Sequence, residues 1–164
     1  MIKISIKLGG KIDSSIVNGE GIRTVLFSTG CNHNCKGCHN QHLAQYDSGE
    51  DFSTTDIIKM LEKNEKITNK KVTFSGGDPF FQAKGFSKLA LKLKEKGYNI
   101  WCYTGYTIEQ ILNSNNKYFL LLLKNVDVLV DGKFNKDLMS DAPKYAGSSN
   151  QRIINVKEYL KKIN

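Results

Sequence analysis

The chain reads as an α/β protein with a mainly parallel sheet, rolled only part of the way toward a βα barrel. Three observations predict this. Short apolar runs and amphipathic stretches alternate at least three times along the chain, the pattern of parallel strands joined by crossover helices. The segments leaving those strands are rich in cysteine, glycine and charge, and such sheets hold their chemistry at the carboxyl ends of strands. A full eightfold barrel needs about 250 residues, so the 164 present make an incomplete one with a lateral opening that could admit something large. One domain is expected over residues 1–164, with its core from about 16 to 156.

Taken in order, Ile2, Ile4 and Ile6 alternate with Lys3, Ser5 and Lys7, a half-buried strand by period and an edge strand by its charge. Asn18-Gly19-Glu20-Gly21 is a turn, and Ile22 to Phe27 is the next strand. Ser53-Thr54-Thr55-Asp56 has capping-box spacing and opens a helix with Ile57, Ile58 and Leu61 on one face. Lys71 to Phe74 is a short strand running into Ser75-Gly76-Gly77-Asp78-Pro79. Phe86, Leu89, Ala90 and Leu93 fall at i, i+3, i+4 and i+7, a helix stopped by Gly97. Asn99 to Thr104 is strand-like, Thr107 to Gln110 opens a short helix, and Tyr118 to Leu123 is a buried helical stretch. Val126 to Val130 is an apolar strand broken only by Asp127 and ending in Asp131-Gly132; Arg152 to Val156 is the last strand and Lys157 to Ile163 a terminal helix.

Composition removes several classes of function. A chain of this length buries roughly 70% of its unfolded surface, so it needs no disulfide staples. The longest apolar run, Tyr118 to Leu123, is far below the about 20 residues that cross a bilayer, so no membrane is expected. No apolar leader marks secretion, and clustered thiols then point to a metal site in the reducing cytoplasm. The formal charge of +8, from 24 basic and 16 acidic residues, keeps lysine-rich helix faces soluble or docks an acidic partner. Nucleic acid is not expected, because the lysines between Lys84 and Lys96 lack the interleaved aromatics of a stacking platform.

The chain is organised around Cys31, Cys35 and Cys38, spaced C-x3-C-x2-C in a loop that follows Val25-Leu26-Phe27. Three thiolates this close fold around one centre, a metal ion or a metal cluster. The spacing fits neither the paired C-x2-C of zinc sites nor a four-cysteine cluster loop. Cys102 lies far away in an apolar run and reads as a small core hydrophobe. If a [4Fe–4S] cluster sits on this loop, three irons carry cysteine and one stays open to bind something else. The alternative is a Cys3His zinc site completed by His33, His39 or His42.

C-x3-C-x2-C after a strand resembles the signature of the radical S-adenosylmethionine (radical SAM) family. The resemblance implies a [4Fe–4S] cluster on Cys31, Cys35 and Cys38 whose open iron chelates the amino and carboxylate groups of S-adenosylmethionine. One electron from the reduced cluster then cleaves the sulfonium to give a 5′-deoxyadenosyl radical, with no side chain required as a catalyst. Gly76-Gly77-Asp78 resembles the family's GGE stretch, whose backbone meets the cofactor's amino group; Asp78 stands where Glu is commoner and has less reach. Many members place an aromatic residue before the last cysteine. Gly37 stands there instead, so adenine contacts are expected from backbone around Gly37 and Cys38 and from His39. Asp131 and Lys133 resemble a D-x-K pair near the cofactor's ribose and carboxylate.

A narrower likeness spans about Ile16 to Val156. It rests on Val17-Asn18-Gly19-Glu20-Gly21-Ile22-Arg23, Ser75 to Pro79, Trp101 to Tyr106, Val128 to Phe134 and Gly147-Ser148-Ser149-Asn150-Gln151. These are similar to the activating proteins of anaerobic (class III) ribonucleoside-triphosphate reductases. That likeness implies hydrogen abstraction from a glycine of the large reductase subunit, leaving a glycyl radical, with a flavodoxin-like electron donor. An activase of another glycyl-radical enzyme, of the pyruvate formate-lyase type, or a non-catalytic zinc-binding module remain as alternatives.

Overall fold

The computed structural model describes residues 4–164. Ile2 and Lys3 of the expected first strand lie outside that range. Within it, β1 (Ser5–Ser15) is longer than its alternating start suggests, and it is second from the sheet margin. The margin is β3 (Glu50–Ser53), which the sequence reading passed over. Glu50-Asp51-Phe52-Ser53 has no apolar period to find; it becomes a strand because its backbone pairs antiparallel with β1 from Ser5↔Ser53 to Leu8↔Glu50.

The remaining elements are β2 (Arg23–Ser28), α1 (Thr54–Glu62), α2 (Glu65–Thr68), β4 (Lys71–Gly76), α3 (Ala83–Glu95), β5 (Asn99–Tyr103), α4 (Ile108–Asn113), α5 (Lys117–Lys124), β6 (Val128–Asp131), β7 (Arg152–Asn155) and α6 (Val156–Ile163). The one-turn α2 is also additional to the sequence reading. Its C-cap, Asn69, takes the left-handed conformation at φ 52°, which Asn tolerates better than most residues.

The strands form one seven-stranded sheet in the order β3-β1-β2-β4-β5-β6-β7. The mainly parallel sheet that was expected is found at its centre, where β2–β4, β4–β5 and β5–β6 run parallel; β1–β2, β1–β3 and β6–β7, toward the margins, are antiparallel. Parallel neighbours need crossover segments, and the helices supply these between β4, β5 and β6. The sheet is open, with β3 and β7 as its margins.

One face carries the helices. Leu26, Val72, Phe74, Ile100, Cys102 and Leu129 alternate toward that side and join Ile57, Leu61, Phe86, Leu89, Ala90 and Leu93 in one buried cluster. The four positions read from α3 at helical spacing are all fully buried. Ser53 caps α1 by accepting from the Asp56 amide at 3.1 Å. The reciprocal capping box forms at α4, between Thr107 and Gln110.

The other face is covered by loops. Arg23 is buried there against Gly19 and Glu20, its guanidinium 5.5 Å from the Trp101 ring. Burial lowers its pKa to about 10, so it still carries its charge at neutral pH. Its nitrogens donate to the Thr73 hydroxyl, the Glu20, Val72 and Asn99 carbonyls and the Asn99 side chain at 2.8–3.0 Å, the condition for burying a charge. The Thr73 hydroxyl in turn donates to the Asn18 carbonyl at 2.7 Å, holding the glycine-rich turn against the sheet. Farther up the same face, Tyr103 donates to the Tyr145 carbonyl at 2.6 Å.

Candidate functional site

Four segments leave the parallel strands at one end: the cysteine loop after β2, Gly76–Pro79 after β4, Thr104–Tyr106 after β5 and Gly132–Phe134 after β6. The first two are joined through backbone. Ser28 and Gly76 face each other in the ladder, the Gly77 amide donates to the Ser28 carbonyl at 2.9 Å, and the Asp78 amide donates to the Gly30 carbonyl at 2.8 Å. The cysteine loop is closed at its base by Gly30 and Cys31, whose amides donate to Leu43 and Ala44 at 2.8 and 3.0 Å.

This packing requires glycine at 76. Its φ is 114°, and a Cβ there would sit 2.3 Å from backbone atoms of Ser28; one on Gly77 would sit 2.5 Å from the Gly30 carbonyl. The close approach expected of these two residues toward a ligand is therefore also an approach to the chain's own backbone. With the Gly77 and Asp78 amides already donated, the stretch has carbonyl oxygens left to offer, acceptors suited to an ammonium group.

The three loop cysteines are free and half-buried. All three line one cavity of about 370 Å³, together with His33, His39, Gly76, Gly77, Tyr103 and Phe134. Burial pushes the Cys31 and Cys35 thiols above their ordinary value, and the neighbouring loop thiols add to this in both cases. Such thiols give up protons when a metal centre loads. Cys102 is fully buried on β5, where burial holds its thiol well above the ordinary range.

The donor set fits a cluster better than a single ion. Three free thiols meet on one cavity wall, the ligand type that holds iron–sulfur clusters. His33, one candidate fourth ligand for zinc, has its Nε2 committed to Asp78 Oδ2 at 2.6 Å. His39 lies against Phe134 with ring centroids 5.5 Å apart and remains at the cavity wall. His42 sits in the short turn Gln41–Leu43, outside the lining of the cysteine cavity.

The other expected contacts divide. Cys38, His39, Gly76 and Gly77 line the cavity, while Gly37, Asp78, Asp131 and Lys133 do not. Gly37, at φ 77°, shapes the turn in which the Cys38 amide donates to Cys35 at 3.2 Å. The Asp78 carboxylate is buried and accepts from the Phe80 amide, His33, the Thr104 hydroxyl and the Gly105 amide at 2.6–3.0 Å. The Asp131 carboxylate is buried as well, accepting from the Ile108 amide and two Arg152 nitrogens at 2.5–3.0 Å. Lys133 is exposed and lines a neighbouring depression with Lys36 and Lys136.

Val17, Asn18, Tyr103, Phe134 and Gln151, which the sequence names as parts of motifs but gives no site role, line the wall as well, with Tyr145, which lies outside those motifs. Gln151 accepts from the Gly147 and Ser148 amides at 2.7 and 3.1 Å and donates to the Gly132 carbonyl at 3.0 Å. That clasp explains why the Gly147–Gln151 stretch travels with the β6 exit. A larger cavity of about 940 Å³ lies toward the amino ends of β4, β5 and β6, bordered by Lys71, Lys94, Lys124, Lys157 and Lys161. It contains no cysteine, so donor chemistry and not size selects the site.

Comparison with known proteins agrees with this geometry. Residues 17–154 match the family described as a 4Fe-4S single cluster domain. The anaerobic ribonucleoside-triphosphate reductase-activating protein of Vibrio cholerae is 36% identical over 144 residues, covering 84% of this chain and 90% of that protein. The protein of the same name from Enterobacteria phage T4 is 36% identical over 141 residues, with 84% and 86% covered. The one from Escherichia coli K12 is 35% identical over 143 residues, with 83% and 90% covered. A solved structure, QueE from Escherichia coli, aligns at a TM-score of 0.47 and 15% identity over 63% of this chain and 54% of that one. On the strength of the matched family and of these relatives, the chain belongs to the 4Fe-4S single-cluster family, among the anaerobic ribonucleoside-triphosphate reductase-activating proteins.

Proposed function

We propose that this protein activates an anaerobic ribonucleoside-triphosphate reductase by removing a hydrogen atom from a glycine of the reductase's large subunit. When bound, a [4Fe–4S] cluster and S-adenosylmethionine supply the chemistry: one electron and the sulfonium give methionine and a carbon radical, which takes the glycine hydrogen and leaves as 5′-deoxyadenosine. Cys31, Cys35 and Cys38 would hold the cluster, and no fourth cysteine lines their cavity to take its remaining iron. The Gly76 carbonyl, which also accepts from the Asn40 side-chain amide at 3.5 Å, and the Gly77 carbonyl would accept from the cofactor's ammonium group, while backbone near Gly37 and Cys38, together with His39, would border its adenine. Tyr103, Phe134 and Tyr145 wall the cavity and limit water around the reacting atoms. Asp131 and Lys133 border the cofactor's ribose and carboxylate if Arg152 and the β6 exit rearrange around it.

The reading extends to the whole chain as one domain whose sheet curls as an incomplete barrel. Its open side is where a large protein substrate presents a glycine. The electron comes from a flavodoxin-like low-potential donor, and the chemistry suits the reducing cytoplasm. Among the described residues no helix is long and apolar enough to cross a membrane.

The observation that carries this reading is the meeting of three free cysteines with Gly76 and Gly77 in one cavity at the carboxyl ends of the parallel strands. The test mixes anaerobically reconstituted protein, reductant, S-adenosylmethionine and the large subunit of an anaerobic reductase, and records electron paramagnetic resonance. A glycyl-radical doublet, with one 5′-deoxyadenosine formed per radical, is expected. Zinc in place of iron, or a cluster spectrum indifferent to S-adenosylmethionine, overturns the assignment. A doublet raised only on another glycyl-radical enzyme transfers the activity to that partner.

A further inference from the structure

We infer that His33 and Asp78 are a positioning pair that sets the cysteine loop in register before any cluster is bound. His33 stands midway between Cys31 and Cys35, lines the cysteine cavity, and reaches from it into a seat made by the exits of β4 and β5. Its Nε2 lies 2.6 Å from Asp78 Oδ2, and the two side chains are 7% and 2% exposed. Asp78 already receives the Thr104 hydroxyl at 2.8 Å and the Phe80 and Gly105 amides at 2.9 and 3.0 Å. A carboxylate surrounded by three donors has only acceptor capacity left, so the imidazole donates through Nε2.

The seat is shaped for this ring. Gly105 has an ordinary φ, so no left-handed conformation explains its glycine; a Cβ there would lie 2.5–2.8 Å from the His33 ring. The Tyr106 ring meets the imidazole edge-on, with centroids 4.6 Å apart. Gly105 is therefore the clearance that lets His33 reach Asp78, and Tyr106 closes the seat. The loop's base is fixed through the Gly30 and Cys31 amides, and this pair adds a second fixed point between the first two thiols. Aspartate has the right length at 78, because its carboxylate also accepts from Phe80 two residues on, the short reach of an Asx cap. A longer carboxylate would move Oδ2 away from Thr104 and Gly105.

The inference rests on Cys31, Cys35 and Cys38 as the cluster ligands, and its first readout needs no cluster. In metal-free protein held anaerobically, the alkylation rates of Cys31, Cys35 and Cys38 are followed by mass spectrometry. The proteins compared are wild type, His33→Ala, His33→Gln and Gly105→Ala. Freeing the loop from a charge-assisted bond raises the Cys31 and Cys35 rates about tenfold or more. That rise is expected in His33→Ala and in Gly105→Ala, whose added methyl evicts the ring while both side chains of the pair are kept. His33→Gln, whose amide nitrogen sits near the Nε2 position, restores part of the protection. After reconstitution, the electron paramagnetic resonance line shape of the reduced cluster shifts in His33→Ala and less in His33→Gln.

Rates within twofold of wild type together with an unchanged line shape overturn the pairing while leaving the cluster assignment intact. Global unfolding of both His33→Ala and Gly105→Ala also overturns it, since the pair would then support the fold rather than the loop. If Cys31→Ala, Cys35→Ala and Cys38→Ala all retain full iron, it is the cluster assignment that fails.

Discussion

The four cysteines are the same residue in four places, and the fold gives them two fates. Cys31, Cys35 and Cys38 share a cavity wall, while Cys102 packs among Phe74, Ile100 and Leu129 in the core. Single Cys→Ala variants at 31, 35 and 38 should therefore lose their iron after anaerobic reconstitution. Cys102→Ala should retain it and lose about 1 kcal/mol of stability from the small void, read in a urea melt. Iron lost from Cys102→Ala would break this division. Gly76→Ala makes the complementary test of backbone: a left-handed φ of 114° and a Cβ 2.3 Å from Ser28 together cost about 1–3 kcal/mol or more. For a chain of this size that is a drop of several degrees in Tm, at about 2–4 °C per kcal/mol. An unchanged Tm would show that the β2–β4 ladder relaxes around the methyl group. The thiols and glycines were legible from sequence because their spacing is local. The His33–Asp78 contact was not, because it joins residues 45 positions apart and neither motif names the other.

Helices whose apolar faces repeat every three to four residues were the most legible elements. α3 is the clear case, and it packs against both α1 and α5. Leu89→Ala removes a fully buried side chain from its inner face and should cost about 2–5 kcal/mol, read by thermal melt, with iron per folded chain unchanged. What escaped the reading were elements made by pairing or by charge: β3, one turn of α2, and the tie between α4, β6, β7 and α6. In that tie Arg152 of β7 bridges Glu109 of α4 and Asp131 of β6, and Tyr159 of α6 donates to Glu109 at 3.2 Å. The Arg152 hydrogen bonds lower the Glu109 pKa from 4.5 to about 2. A lowered carboxylate pKa adds stability that is complete above the unfolded value and is lost as pH falls through the folded one. The stability gap between wild type and Glu109→Gln should thus shrink as pH drops from 4.5 toward 2, measured by urea midpoints. The gap will be modest, because both side chains are about half exposed and water screens the pair. A gap that widens on acidification would remove Glu109 from this role.

At the scale of the whole molecule, alternation of strand and helix made the parallel centre legible, because crossovers leave a periodic trace in sequence. β1 and β7 were legible as strands, but their antiparallel direction leaves no such trace, since a return such as β6 to β7, through residues 132–151, is set by where the chain can pair. The charge of +8 was legible as a number but not as a map. The fold sets Lys36, Lys133 and Lys136 around a depression of about 300 Å³ that shares Phe134 with the cysteine cavity. Positive charge beside the mouth of a site steers an acidic partner and weakens with salt, since the Debye length shrinks from about 10 Å at 0.1 M to about 3 Å at 1 M. If the reductase or the electron donor docks over this mouth, the initial rate of glycyl-radical formation should fall steadily as ionic strength rises. Lys36→Glu with Lys136→Glu should slow it about tenfold at low salt and flatten its salt dependence, while iron content and Tm stay at wild-type values. The double variant separates local steering from the overall charge, because reversing two lysines of α3, Lys88→Glu and Lys92→Glu, changes the net charge equally. Equal slowing by both pairs would make the effect one of net charge alone. Rates that ignore salt and both reversals would show that docking over the cysteine cavity is carried by apolar contact instead, with exposed Ile16 and Val17 as the next residues to change.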